Sequence, residues 1–243
     1  MYKRTTLLTT NNFKTLKGEK FKDATGKPYK TYILYMSPYT QNSKGINLCP
    51  HASAGCAASC LFNSGFGGMY KKVANARINK SEWYLQDRDT FMVQLDKEVG
   101  AAIKRHPEYN VVFRLNGTTD IRWEKIKIRD NKNIFELYPR NTFYDYTKNN
   151  HRLNIQLPSN YHLTFSRSEN NDATAMKLLS EGHNVAIVFG ETPSTYMGYE
   201  VVNGDLSDLR FADKKGVVVG LKYKFATGKN ADNKTAFVSG FAI

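Results

Sequence analysis

The sequence predicts an α/β protein with five or six parallel strands, in an order that suits a complete or partial (β/α) TIM-like barrel. Three observations carry this expectation. Short β-branched or aromatic runs alternate with stretches of helical periodicity along the 243 residues. Hydrophobic residues make up 41% of the chain and charged residues 23%, a balance that can bury one large core. Polar residues gather just after several of the runs, where a parallel barrel carries its binding site. A doubly wound open sheet is the alternative arrangement.

Residues 1–30 are rich in lysine and read as a basic N-terminal extension, packed on the outside or partly mobile. Residues 31–243 then form a single domain, with no linker and no internal repeat. Its first strand is expected at residues 31–36 (TYILYM), between Gly26-Lys27-Pro28 and Ser37-Pro38. A loop over residues 47–68 follows, ending in the glycine-rich SGFGG. Tyr70, Val73, Ala74 and Ile78 fall at helical spacing and are expected to face the core, as are Phe91, Leu95, Val99 and Ile103 on a second helix. Lys104, Arg105 and His106 complement the dipole at that helix's C-terminus, and Pro107 closes it. Further strands are expected at 111–115, 143–146, 162–165, 185–189 and 217–221. Between the strands at 162–165 and 185–189, Asp172 is placed to cap a helix that runs through Leu179 and stops at Gly182. Strand, helix and strand there make a compact parallel unit.

The charge narrows the partners. Lys and Arg number 35 against 22 Asp and Glu, a net +13, which favours nucleic acid, nucleotides or other anionic small-molecule ligands. No stretch approaches the roughly 20 apolar residues that cross a bilayer, and the N-terminal stretch lacks the apolar run of a signal peptide. A membrane partner is therefore not expected. Phosphate-loop, zincin and nucleophile-elbow motifs are all absent, so the chemistries they serve have no support.

The cysteines are the sharpest signal. The chain has three, Cys49, Cys56 and Cys60, all in the run LCPHASAGCAASC with spacing C-x6-C-x3-C. An odd number so tightly clustered does not read as a disulfide framework, whereas soft thiolates suit an iron–sulfur centre or zinc. Structural zinc asks for four closed ligands, usually in two pairs, which this run does not supply unless His51 completes a Cys3His set. Three cysteines without a fourth suit a [4Fe-4S] cluster with one iron left for solvent, substrate or cofactor. The alternative is a basic nucleic-acid-binding protein whose cluster or zinc ion only braces the fold.

Candidate pocket residues follow the expected strands. Asn116 and Asp120 come after residues 111–115, Asp145 and Lys148 belong to the run from 143, and Ser166, Arg167 and Glu169 follow residues 162–165. On the C-terminal face of a barrel they would converge with the cysteine loop, which follows the first strand. Arg167 and Lys148 are the candidates for holding negative charge. The passage NGDLSDLRFAD at 203–213 mixes carboxylates with an arginine, for which internal ion pairing is sufficient explanation. Lys222 and Lys224, at alternate positions after the last strand, could meet an anion.

A three-cysteine loop after the first strand of an α/β barrel resembles the radical S-adenosylmethionine superfamily, although the spacing here differs from the usual C-x3-C-x2-C. That resemblance implies a [4Fe-4S] cluster on Cys49, Cys56 and Cys60, S-adenosylmethionine at the open iron, and redox or radical chemistry. The strings LCPHASAGCAASCL, RLNGTTDIRWE, FYDYTK, LTFSRSE and NGDLSDLRF are in turn similar to an uncharacterised family of bacteriophage-encoded proteins. This second resemblance implies expression in the bacterial host cytoplasm and brings no established activity.

Overall fold

The structure is a computed structural model that describes residues 2–11, 13–60, 62, 70–225 and 233–243, the side chains of residues 13 and 14 excepted. In chain order its elements are β1 (Leu8–Thr9), α1 (Phe13–Gly18), β2 (Tyr29–Leu34), α2 (Ala54–Ala58), α3 (Lys71–Gln86), α4 (Arg88–Arg105), β3 (Asn110–Arg114), α5 (Ile134–Leu137), β4 (Phe143–Thr147), β5 (Tyr161–Ser166), α6 (Asp172–Ser180), β6 (Val185–Phe189), β7 (Thr195–Tyr196), β8 (Tyr199–Asn203), β9 (Val218–Lys222) and α7 (Lys234–Val238). The SGFGG stretch at 64–68 lies outside the described residues.

The strands form one nine-stranded sheet in the order β1-β2-β3-β4-β5-β6-β9-β8-β7. Every neighbouring pair from β2 through β9 to β8 is parallel, and the edge strands β1 and β7 pair antiparallel. The α/β class and the parallel sheet are as expected. The barrel is not shown: β1 and β7 are the two edges, so the sheet is not closed.

The pleat sorts the side chains onto two faces. Val111, Phe113 and Leu115, Phe143, Tyr161 and Phe165, then Val185, Ile187, Phe189 and Val218 point towards the helices. They pack on Trp83 and Tyr84 of α3, Phe91, Leu95 and Val99 of α4, and Leu178 and Leu179 of α6. Phe143 is fully buried, with ring centroids 5.1 Å from Phe113 and 5.0 Å from Phe135. On the other face Val112 and Tyr144 meet Leu209 and Phe211, which belong to the 203–213 segment folded across the sheet. The ion pairing expected for that segment is present: Arg210 pairs with Asp213 at 3.3 Å, and Asp208 reaches across to Arg114 of β3 at 3.1 Å.

Three expectations are corrected. Leu7 and Leu8 of the basic N-terminal stretch are buried in the main core, and β1 extends the sheet, so this part of residues 1–30 is not an outer appendage. On α3 the buried positions are Lys80, Ser81, Trp83 and Tyr84, while Tyr70 is exposed and Val73, Ala74 and Ile78 are half-buried, so the second half of the helix meets the core. Asp172 begins α6 but does not cap it, because Arg167 takes its carboxylate. The stop at Gly182 holds: its φ is +86°, a left-handed conformation that glycine adopts without strain. Phe143→Ala is expected to cost about 3–5 kcal/mol, through lost burial and the cavity left between Phe113 and Phe135. Urea unfolding of the two proteins, read by circular dichroism, checks it.

Candidate functional site

The connection after β2 carries the cysteines over the C-terminal end of the sheet. It is pinned there by the backbone: Gly117 N–H donates to Leu34 O at 3.0 Å and Asp120 N–H to Leu48 O at 2.9 Å. A Cβ on Gly117 would sit 2.7 Å from Ile33, Tyr35 and the Leu34 carbonyl, so only glycine lets the chain after β3 cross so close to β2. Ser53 accepts from Cys56 N–H at 3.2 Å and starts α2. Glu169, beyond β5, accepts from Ser53 Oγ at 2.7 Å and from Gly55 N–H at 2.6 Å. A Cβ on Gly55 would lie 2.8 Å from Phe241 Cβ, so the loop is also packed tightly on the C-terminal segment.

All three thiols border one cavity of about 220 Å³. Its remaining wall comes from the C-terminal ends of successive strands: Arg114 and Asn116 from β3 and its exit, Tyr146 and Lys148 from β4, Ser166 from β5, Val188 from β6, Leu221 and Lys222 from β9. Within the strands these positions point away from the helices, except Lys222, which shares the parity of Val218 at the end of β9. Burial pushes the Cys49 and Cys56 thiols up and holds Cys60 up to about 11; repulsion from neighbouring sulfurs adds to the shift at Cys49 and Cys60, while at Cys56 the Lys148 ammonium opposes it. Without a metal they are therefore protonated at neutral pH, and any cation or cluster they hold must displace those protons. Among the described residues no group of three or more His, Cys, Asp or Glu side chains is arranged to hold a single metal ion.

The sequence-predicted residues divide into two groups. Asn116, Asp120, Lys148 and Ser166 line the cavity. Lys148 Nζ donates to Ser166 Oγ at 2.6 Å and lies 5.4 Å from the Phe241 ring centroid. Asp120 is held by fully buried Arg152 at 2.7 Å, by Thr147 Oγ and by Lys148 N–H, both at 3.0 Å, while Arg152 also reaches Glu124 at 2.9 Å. The remaining three support the wall from behind. Asp145 shares the helix-facing side of β4 with Phe143, accepts from Asn116 N–H at 2.7 Å and from Tyr161 OH at 3.0 Å, and is pushed up to about 7 by burial. Arg167 forms a bidentate pair with Asp172 and donates to the carbonyls of Gly240 and Phe241, so its charge is spent on the C-terminal segment. Glu169 fastens the cysteine loop, and hydrogen bonds from Ser53 and Gly55 outweigh its partial burial to hold its carboxyl below the usual range.

Sequence reasoning missed Arg114, Tyr146 and Phe241. Arg114 had a readable signal: a charge inside the apolar run VVFRL marks the face on which that strand meets something polar. Nothing comparable marked Phe241. Lys222 and Lys224 both border the cavity, Lys224 paired with Asp205 at 3.1 Å. His51 is exposed on the loop.

The chain matches the family model described as Gene product 88, a phage gene product, over residues 6–239, and it belongs to that family. No curated protein and no solved structure matches it. Among the described residues no helix is long and apolar enough to cross a membrane.

Glu169→Ala is expected to free the α2 end of the cysteine loop and to cost about 1–3 kcal/mol, since it orphans two donors. Alkylation of Cys56 by a maleimide, followed by mass spectrometry, should be faster in this variant than in the parent at equal pH.

Proposed function

For this member of the Gene product 88 family we propose an iron–sulfur protein in which Cys49, Cys56 and Cys60 hold a [4Fe-4S] cluster beside the cavity, with S-adenosylmethionine or another small polar substrate taking the iron that has no protein thiolate. The observation that carries the reading is that the three cysteines of the chain border the same cavity as the C-terminal ends of β3, β4, β5, β6 and β9. Thiolates are the usual donors to such a cluster. Each iron corner of a cubane takes one thiolate, so three sulfurs spaced around a cavity suit it better than they suit one ion, which asks its donors to meet at a point. Ser59 Oγ, buried at the cavity wall without a hydrogen-bond partner among the described residues, is a further donor available to a bound group.

A partial (β/α) barrel is the matching architecture. Parallel strands added in sequence order with helices on one face leave the opposite face to curl around a ligand. When bound, the cluster supplies one-electron chemistry at its open iron. The chain's own residues then bind and exclude water. Lys148 presents an ammonium that is hydrogen-bonded to neutral oxygens of Ser166 and Arg167, so it can take the acidic group of a substrate. Asp120, fixed by Arg152, offers a carboxylate to an amine or ribose hydroxyl. Phe241 and Tyr146 close the apolar side of the cavity.

Anaerobic purification should yield about four iron and four sulfide per chain, with a visible band bleached by dithionite. Cys49→Ala, Cys56→Ala and Cys60→Ala should each lose most of the iron, while His51→Ala keeps it. A spectral change on adding S-adenosylmethionine supports the substrate assignment. Stoichiometric zinc without sulfide overturns the cluster.

A further inference from the structure

Arg77 of α3 is a half-buried cation that none of the site chemistry above employs. Its guanidinium lies over the Tyr35 ring, 4.9 Å from the centroid, and over the Phe62 ring at 5.7 Å. Its Nη1 is buried with no hydrogen-bond partner among the described residues. Burial works against its charge, and the groups that favour that charge are Tyr35 and Cys60, neither of them a carboxylate. Lys80, one turn along the same helix, is buried, and it is engaged elsewhere, donating to Leu7 O at 2.7 Å. Phe62, stacked under Arg77, donates its own N–H to Cys60 Sγ at 3.5 Å. The guanidinium therefore stands behind Cys60 rather than in the cavity, whose wall does not include it.

A guanidinium with a buried, unpartnered nitrogen and no anion beside it is unfavourable unless its surroundings acquire negative charge. We infer that Arg77 is the counter-cation of the three-cysteine site, offsetting the charge of the centre those thiolates hold and favouring its acceptance of an electron. The inference rests on the iron–sulfur reading of the preceding section. Three thiolates on a [4Fe-4S] cluster leave a net negative centre, and one electron from an external reductant makes it more negative. A fixed positive charge nearby stabilises the reduced form more than the oxidised one. The aromatic faces of Tyr35 and Phe62 cover part of the guanidinium and reduce solvent screening on that side. Arg77 acts through Cys60 and is a positioning residue, not a catalytic one.

The test compares anaerobically prepared parent, Arg77→Gln and Arg77→Lys proteins by iron and sulfide content and by a dithionite titration followed by electron paramagnetic resonance. Arg77→Gln should shift the midpoint potential negative by about 59 mV or more, a tenfold change in a one-electron equilibrium, and Arg77→Lys should stay near the parent. Should Arg77→Gln hold too little cluster to titrate, retention of iron by Arg77→Lys alone supports the charge role, and equal loss in both variants overturns it. An unmoved potential in a fully loaded Arg77→Gln also overturns it, with the cluster reading intact. A parent protein free of iron and sulfide overturns both.

Discussion

The arrangement depends on one topological constraint: six of the seven parallel strands are added side by side in the direction in which the chain runs. Parallel crossovers are right-handed almost without exception, so adding strands in one direction sends every crossover to the same face. The large helices α3, α4 and α6 accordingly share one side of the sheet, and the aromatic core is there. A doubly wound sheet reverses its strand order and covers both faces with helices; here, among the described residues, the second face meets only the short α1, whose Gly18 approaches Leu209 and Thr31. Much of its cover comes from the 203–213 segment, which brings Leu209 and Phe211 for burial and Asp208 to meet the one guanidinium that β3 directs that way.

That solution leaves polar groups concentrated at one end of the sheet. Arg152, Asp120, Glu124, Asp145, Asn116 and Tyr161 form a connected buried network in which each charge has a partner, and such a network restricts its members to few rotamers. Asn116 and Asp120, which line the cavity, are thus supported from behind by Arg152, Glu124, Asp145 and Tyr161, which do not reach it. The cysteine loop gains its order differently, from glycine positions that admit close backbone approach and from one carboxylate, Glu169, that holds its helical turn.

Much of this was legible in the sequence. β-branched and aromatic runs located β2, β3, β4, β5, β6 and β9 to within two residues, because buried parallel strands are continuous apolar stretches. The clustering of Cys49, Cys56 and Cys60 marked their shared site, and position after a strand found Asn116, Asp120, Lys148 and Ser166. Strand alternation separates these from Asp145, which shares the parity of Phe143 and so turns to the helices. Arg167 and Glu169 could not be sorted this way. Their partners, Gly240 and Phe241 in one case and Ser53 and Gly55 in the other, are more than 70 residues distant in the chain, and no local periodicity reports so remote a contact. The burial of Leu7 and Leu8 was hidden for the same reason: Glu98 on α4 accepts both of their amide protons, a pairing that the lysine-rich composition around them does not reveal.

The grip of Glu169 on Ser53 and Gly55 spans 116 and 114 residues, and Gly55 packs in addition against Ser239 and Phe241. During synthesis the thiols therefore leave the ribosome long before the residues that hold their loop. Contacts of such separation form late, after the entropy of closing a long loop has been overcome. The cysteine site is in this sense the keystone of assembly rather than its seed: the parallel strands can register one after another, but the loop locks only when the chain beyond β9 has come back across them.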